Sequence, residues 1–365
     1  MEEENNVDEI STYFSEGENL LKLNRFKEAV NIFNELIVIG KKKGNNEILS
    51  KGYYYLGFSY KKIGSKEESF ESLYKSFEHG VEAGDWTIAD KSFNEIIGLG
   101  PEKDKRGHYK LILKRYFERG NSFLLKGNYK DAVSSYTMLI NHGVTLESWE
   151  SVAKAYINMG FIFIEVGKHK EAIEILEKAI IYSEKAKYIE GIGNAYLNIG
   201  FAYSNLNVID RAIEYLKKAI SFSEDAGELK VAGNAYLNLA YVYSHIEDFK
   251  KAIDACEKAI NYGAKSNDCK SVCKAYFNLG YALLNLQKHE DVINISKKAV
   301  EYGSKCGDWD GVGNAYLNMG FAYSCLQKRQ EAISSTEKAV EYCTKARDWK
   351  KVSKASQRLI DLEEL

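Results

Sequence analysis

The chain of 365 residues sets 50 Lys and Arg against 52 Asp and Glu. The formal charge of −2 gives no electrostatic footprint for nucleic acid or an anionic membrane. Hydrophobic residues make up 45% and aromatics 13%, which excludes disorder, and the single proline, Pro101, leaves an all-helical composition. No apolar run approaches the ~18 residues of a membrane-spanning helix, so no membrane insertion is expected. The acidic start, Met-Glu-Glu-Glu-Asn-Asn, lacks the apolar stretch of a secretion signal. Six cysteines (256, 269, 273, 306, 325 and 343) form no C-x-x-C pair, which reads as reduced thiols in a cytoplasmic protein.

The predicted helices follow one repeating pattern. A marker glycine falls at Gly17, Gly57, Gly120, Gly160, Gly200, Gly280 and Gly320, with Ala240 in the remaining copy. From Gly120 onward the interval is 40 residues. An aromatic stands four residues earlier each time (Tyr13, Tyr53, Tyr116, Tyr156, Tyr196, Tyr236, Tyr276, Tyr316). A small residue stands twelve later in most copies (Ala29, Ala132, Ala172, Ala212, Ala252, Ala332), with Ser69 and Val292 as exceptions. Seven further on come Ala179, Ala219, Ala259, Ala299 and Ala339. Such a period predicts stacked helical hairpins forming one elongated body, instead of separate globular domains.

One interval breaks the pattern. Gly57 and Gly120 are 63 residues apart, one period plus 23. Asp85-Trp86 to Leu99 keeps the phase of a first helix, with Ile97 in the marker position, and matches Asp308-Trp309 and Asp348-Trp349. Gly98-Leu99-Gly100-Pro101 ends it, and a fresh helix begins near Lys105, so a second helix is skipped. Two arrangements follow. Residues 85–99 cap a short array over 1–100, as 348–363 cap a six-repeat array over 105–365, with a hinge at 100–104. Alternatively the superhelix runs on through an irregular junction. Terminal caps are a regular feature of repeat stacks, which favours the hinge.

The aromatic at position 4, leucine-like residue and glycine at 7 and 8, and alanines at 20 and 27 resemble the tetratricopeptide repeat over nearly the whole chain. The resemblance implies an all-α fold: a right-handed superhelix, or α-solenoid, of about eight stacked antiparallel helix pairs. A glycine such as Gly200 and the alanine twelve residues on, Ala212, let two backbones approach while larger residues fill the remaining space. The usual repeat has about 34 residues. The longer repeat, with its Gly307-Asp308-Trp309 turn and Asp308 as N-cap, is similar to the Pins family of spindle-orientation adaptors.

No catalytic pattern is present. The histidines at 79, 108, 142, 169, 245 and 289 have no metal-ligand spacing, and Cys269 and Cys273 share a helix face without a further ligand nearby. Gly191-Ile192-Gly193 and Gly311-Val312-Gly313 lack the third glycine and the strand of a phosphate-binding turn. No enzyme, cofactor or metal is expected.

Binding is another matter. Positions 4, 7, 8 and 11 of a first helix share one side, and positions 2, 6, 9 and 13 share the opposite one. Position 6 is Asn158, Asn198, Asn238, Asn278 and Asn318 in five successive repeats. Position 9 is Phe161, Phe201, Tyr241, Tyr281 and Phe321. Position 2 is Lys154, Asn194, Asn234, Lys274 and Asn314. The resemblance implies that first helices line a concave groove. A primary amide both donates and accepts, so it can pair with a peptide unit of any sequence, while aromatics supply selective apolar area. The competing reading is structural: asparagine is common at this position, and the aromatics could pack between neighbouring first helices. Ser15, Tyr55 and Glu118 break the row in the first three repeats, which directs a ligand to 155–354. The family's clamp for a C-terminal carboxylate is not expected at Lys154 or Lys274, because Phe161 and Tyr281 replace the asparagine required at position 9.

The expectation is a non-enzymatic scaffold holding an extended segment of a protein or peptide partner, not nucleic acid, with its oligomeric state open. The alternatives are a Rap-like regulatory receptor for a small signalling peptide and a self-assembling structural rod.

Overall fold

The structure, a computed structural model, describes residues 2–100, 102 and 104–364. Pro101, part of the expected helix stop, and Met1 of the acidic start lie outside the described residues. Those residues hold eighteen helices and no strand. They are α1 (Glu2–Lys22), α2 (Phe26–Lys43), α3 (Asn46–Ile63), α4 (Lys66–Ala83), α5 (Trp86–Gly98), α6 (Arg106–Leu125), α7 (Tyr129–Thr145), α8 (Trp149–Glu165) and α9 (His169–Ala186). They continue as α10 (Ile189–Asn205), α11 (Ile209–Asp225), α12 (Leu229–His245), α13 (Phe249–Lys265), α14 (Cys269–Asn285), α15 (His289–Cys306), α16 (Trp309–Cys325), α17 (Arg329–Lys345) and α18 (Trp349–Glu364). Each marker residue falls on the first helix of a pair, giving eight pairs of the tetratricopeptide type, with α5 and α18 as unpaired first helices. The fold is an all-α solenoid.

The joints explain why the helices are cut where they are. From Gly127 to Arg347 a residue with positive φ recurs every twenty positions, including Gly167, Lys187, Asn207, Gly227, Glu247, Asn267, Gln287, Gly307 and Gln327. Each closes a helix in the left-handed conformation. At Gly167, for example, the Lys168 N–H donates back to the Phe163 carbonyl at 2.8 Å, which satisfies an orphan helix-end acceptor. Asp248, Asp268 and Asp308 then cap the next helix by accepting backbone N–H groups.

Packing within a pair is set by the marker. A Cβ added to Gly160 or Gly200 would lie 2.5 Å from Leu176 or 2.7 Å from Leu216. The side chain resting on each glycine is therefore the residue sixteen positions on, while the alanines at twelve, such as Ala172 and Ala212, are fully buried beside it. A second regular contact joins the pair's far ends. Tyr156, Tyr196, Tyr236, Tyr276 and Tyr316 meet Tyr182, Phe222, Tyr262, Tyr302 and Tyr342 at 5.4–5.6 Å between ring centres.

The chain divides into two compact units, 1–118 and 119–365, at a point inside α6. In unit 1 the beginning of α6 packs against α4 and α5. Lys105 pairs with Glu67 and Glu71 of α4, His108 sits edge-on to Tyr74 at 4.5 Å, and the Tyr116 hydroxyl donates to Asp90 of α5 at 2.6 Å. This division falls after residue 118, later in the sequence than the expected 100–104. In unit 2 the first helices of successive pairs touch one another, α8 to α10, α10 to α12, α12 to α14 and α14 to α16. Among the described residues no two second helices of unit 2 meet to a like extent, so its first helices are the more closely set.

Candidate functional site: the amide and aromatic row of unit 2

The five position-9 aromatics stand clear of the core. Phe161, Phe201, Tyr241, Tyr281 and Phe321 keep 36–56% of their surface exposed, which no ring packed between helices would do. Exposed at a fixed interval of forty residues, they form a row along the first helices.

The asparagines beside them are not equivalent. Asn198, Asn238 and Asn278 are half-buried and make no hydrogen bond among the described residues, so their donors and acceptors are open. Asn158 donates to Asn121 Oδ1 at 2.9 Å and to the Tyr136 hydroxyl at 3.1 Å, which ties it into a local network. Asn318 is buried and donates to the Phe277 carbonyl at 3.3 Å. Its burial has a local cause. The residue in register over Gly280 is Ser296, much smaller than Leu176 or Leu216, and Asn318 Nδ2 comes within 3.0 Å of the point where a Gly280 Cβ would be. The open part of the row is its middle three members.

At position 2, Lys154 pairs with Glu150 at 2.6 Å and Asn194 donates to the Glu190 carbonyl at 3.1 Å. Asn234 accepts from the Ser271 hydroxyl at 2.8 Å, and Asn314 donates to Asp310 at 3.2 Å. Four of the five are engaged with their own scaffold. Lys274 is exposed, with no ion pair among the described residues.

Sequence reasoning missed the end of the row. Arg358 stands forty residues after Asn318, at position 6 of α18, and Lys354 stands forty after Asn314 at position 2. The Arg358 guanidinium lies 4.7 Å above the Phe321 ring, with a buried Nε that has no hydrogen-bond partner among the described residues. Burial holds its pKa below the usual arginine range. No carboxylate forms an ion pair with Arg358 or Lys354 among the described residues. Treating α18 as a cap hid this; the forty-residue register was the signal that could have found it.

Among the described residues no cluster of three or more His, Cys, Asp or Glu could hold a metal ion, and no helix is long and apolar enough to cross a membrane.

An all-α solenoid of stacked helix pairs defines a helical-repeat protein. A family model described as soluble NSF attachment protein, SNAP, matches residues 104–352. The chain belongs to the soluble NSF attachment protein family. Among curated proteins none matches it. Solved structures resemble it in fold. A signal-transduction ATPase with a tetratricopeptide repeat sensor from Pyrococcus horikoshii has a TM-score of 0.55 at 13% identity, over 86% of this chain and 53% of that one. Aspartyl phosphate phosphatase F from Bacillus subtilis has 0.52 at 14% identity, over 98% and 94%. A Rap protein complexed with competence and sporulation factor has 0.50 at 13% identity, over 98% of both chains.

Proposed function

We propose that unit 2 is a non-enzymatic, cytoplasmic scaffold that holds an extended segment of a partner protein along the first helices of residues 155–354. The observation that carries this reading is the exposed stripe Phe161, Phe201, Tyr241, Tyr281 and Phe321 beside the open amides of Asn198, Asn238 and Asn278. Three amide contacts at ~0.5–1.5 kcal/mol each supply about 1.5–4.5 kcal/mol. Micromolar affinity requires about −8 kcal/mol, on top of an association cost of ~4 kcal/mol or more. The aromatics must therefore contribute most of the affinity and the selectivity.

Arg358 and Lys354, cations with no ion-pair partner among the described residues, stand at one end of the row and fit a carboxylate on that segment, either an acidic side chain or a chain end. An anionic anchor at one end would fix the direction of the segment. Within the fold, the forty-residue period supports the Pins-type adaptor subtype.

The test is fluorescence titration of the full chain against a peptide library, then against the Asn198→Ala plus Asn238→Ala double variant and Arg358→Gln. Weaker binding by the double variant supports the row. Unchanged affinity rules out its role.

The Rap-like receptor reading draws on the end-to-end likeness to a Rap protein complexed with competence and sporulation factor. A smaller radius of gyration on peptide addition, by small-angle scattering, favours that receptor, and an unchanged radius favours the scaffold. A self-assembling rod would show mass rising with concentration and capture no peptide.

A further inference from the structure

The proposed binding wall makes no use of the cysteines, yet three of them gather at one end of a single helix pair. Cys269 is the first residue of α14 and Cys306 the last of α15. The two helices are antiparallel partners, so these ends lie together. The register confirms the juxtaposition. A Cβ on Gly303 of α15 would lie 2.9 Å from Cys273 Sγ of α14. One turn toward the start of α14 from Cys273 is Cys269, and nearly one turn toward the end of α15 from Gly303 is Cys306. The two thiols therefore face each other across the pair. Both residues are partly exposed, the Cys306 thiol donating to the Tyr302 carbonyl at 3.2 Å, whereas Cys273 is buried and donates to the Ala299 carbonyl at 3.3 Å. Burial, then contact with the Cys269 thiol, raises the Cys306 thiol above its ordinary range. No other repeat carries cysteine at either of these two positions.

We propose that Cys269 and Cys306 form a reversible intramolecular disulfide when the protein meets a hydroperoxide. One thiol, ionised, attacks the peroxide oxygen. A sulfenic acid forms, the O–O bond breaks, and the peroxide leaves as an alcohol or water after taking up a proton. The second thiolate then attacks the sulfenic sulfur, forming the S–S bond and expelling hydroxide, which the released proton converts to water. A dithiol reductant reverses the step. The bond staples the end of the repeat that carries Lys274 and Asn278.

The experiment treats the full chain with hydrogen peroxide, blocks remaining thiols with iodoacetamide and maps tryptic peptides by mass spectrometry. The expected result is a Cys269–Cys306 cross-linked peptide lighter by two hydrogens, removed by dithiothreitol, lost in Cys269→Ser and in Cys306→Ser, and retained in Cys325→Ser. Far-ultraviolet circular dichroism checks that each variant is folded. Alkylation of both Cys269 and Cys306 after peroxide treatment overturns the proposal, as does cross-linking through any other cysteine or a cross-link that persists in either serine variant.

Discussion

The contact between a marker glycine and the residue sixteen positions later can be tested as a pair. A Cβ on Gly200 would lie 2.7 Å from Leu216 Cγ and 3.1 Å from the Leu216 backbone nitrogen. Gly200→Ala must therefore displace Leu216 or part the helices, an overpacking cost of about 1–3 kcal/mol. Alanine's better helix propensity returns about 1 kcal/mol, leaving a net loss of roughly 0–2 kcal/mol. The protein already contains the compensated version. Ala240 occupies the marker position of the next repeat, and Cys256, shorter than leucine, stands over it, both fully buried. Leu216→Cys alone leaves a cavity over Gly200 and costs about 2 kcal/mol or more. Combining Gly200→Ala with Leu216→Cys should cost less than the sum, with a coupling of about 1–2 kcal/mol in favour of the pair. Urea unfolding by circular dichroism measures the four-member cycle. Hydrogen exchange on α10 and α11 guards against partial unfolding, which repeat stacks allow. Additive losses within about 0.5 kcal/mol would refute the idea that these two positions share one space.

Other outcomes follow from features already described. Gly227, at φ +73, should not accept valine: Gly227→Val is expected to cost about 1–2 kcal/mol or more and to lower the thermal midpoint, whereas Gly107→Ala, with open space around it, should be neutral or stabilising. Burial pushes the Cys256 and Cys273 thiols up to about 12, and Tyr74 and Tyr236 likewise rise to about 12, burial being the largest cause in each. Folding favours the protonated form of all four, so their stabilisation is fully present below the ordinary values of 9.0 and 10.0 and is lost as pH climbs toward 12. Urea midpoints should be level to about pH 8 and fall steadily above about pH 9; a level profile into strong alkali contradicts the burial. A neutral thiol reagent should modify exposed Cys325 first and leave Cys256 intact until unfolding.

The repeat made most of the fold legible. One glycine position, with its preceding aromatic and following alanines, fixed which helix of each pair came first and where α5 broke the sequence of pairs. The identity of the side chain over the glycine was harder to read, because that place holds Phe33, Leu73, Tyr136, Leu176, Leu216, Cys256, Ser296 and Thr336 in turn. Its volume varies with what surrounds it, so no residue type marks it. The aromatic stripe was legible because position 9 lies half a turn from the packed side, and exposure there follows from helix geometry alone. The asparagines were legible as a row but not as individuals. Whether an amide is open depends on neighbours distant in sequence, Tyr136 for Asn158 and Ser296 for Asn318, which no local pattern encodes. Arg358 was overlooked for a different reason: α18 lacks the glycine and tyrosine that label the other first helices, although its phase is intact.

The left-handed joints have a consequence for how this chain can change length. Because a reversal occurs at every twentieth residue from Gly127 to Arg347, removing forty residues between equivalent joints brings together two ends of the same orientation and keeps every remaining helix on its own side. Removing twenty would exchange inside for outside in all that follows, turning alanine-lined seams toward water. The protein is thus divisible only in whole hairpins, and growth or loss by duplication has a natural quantum.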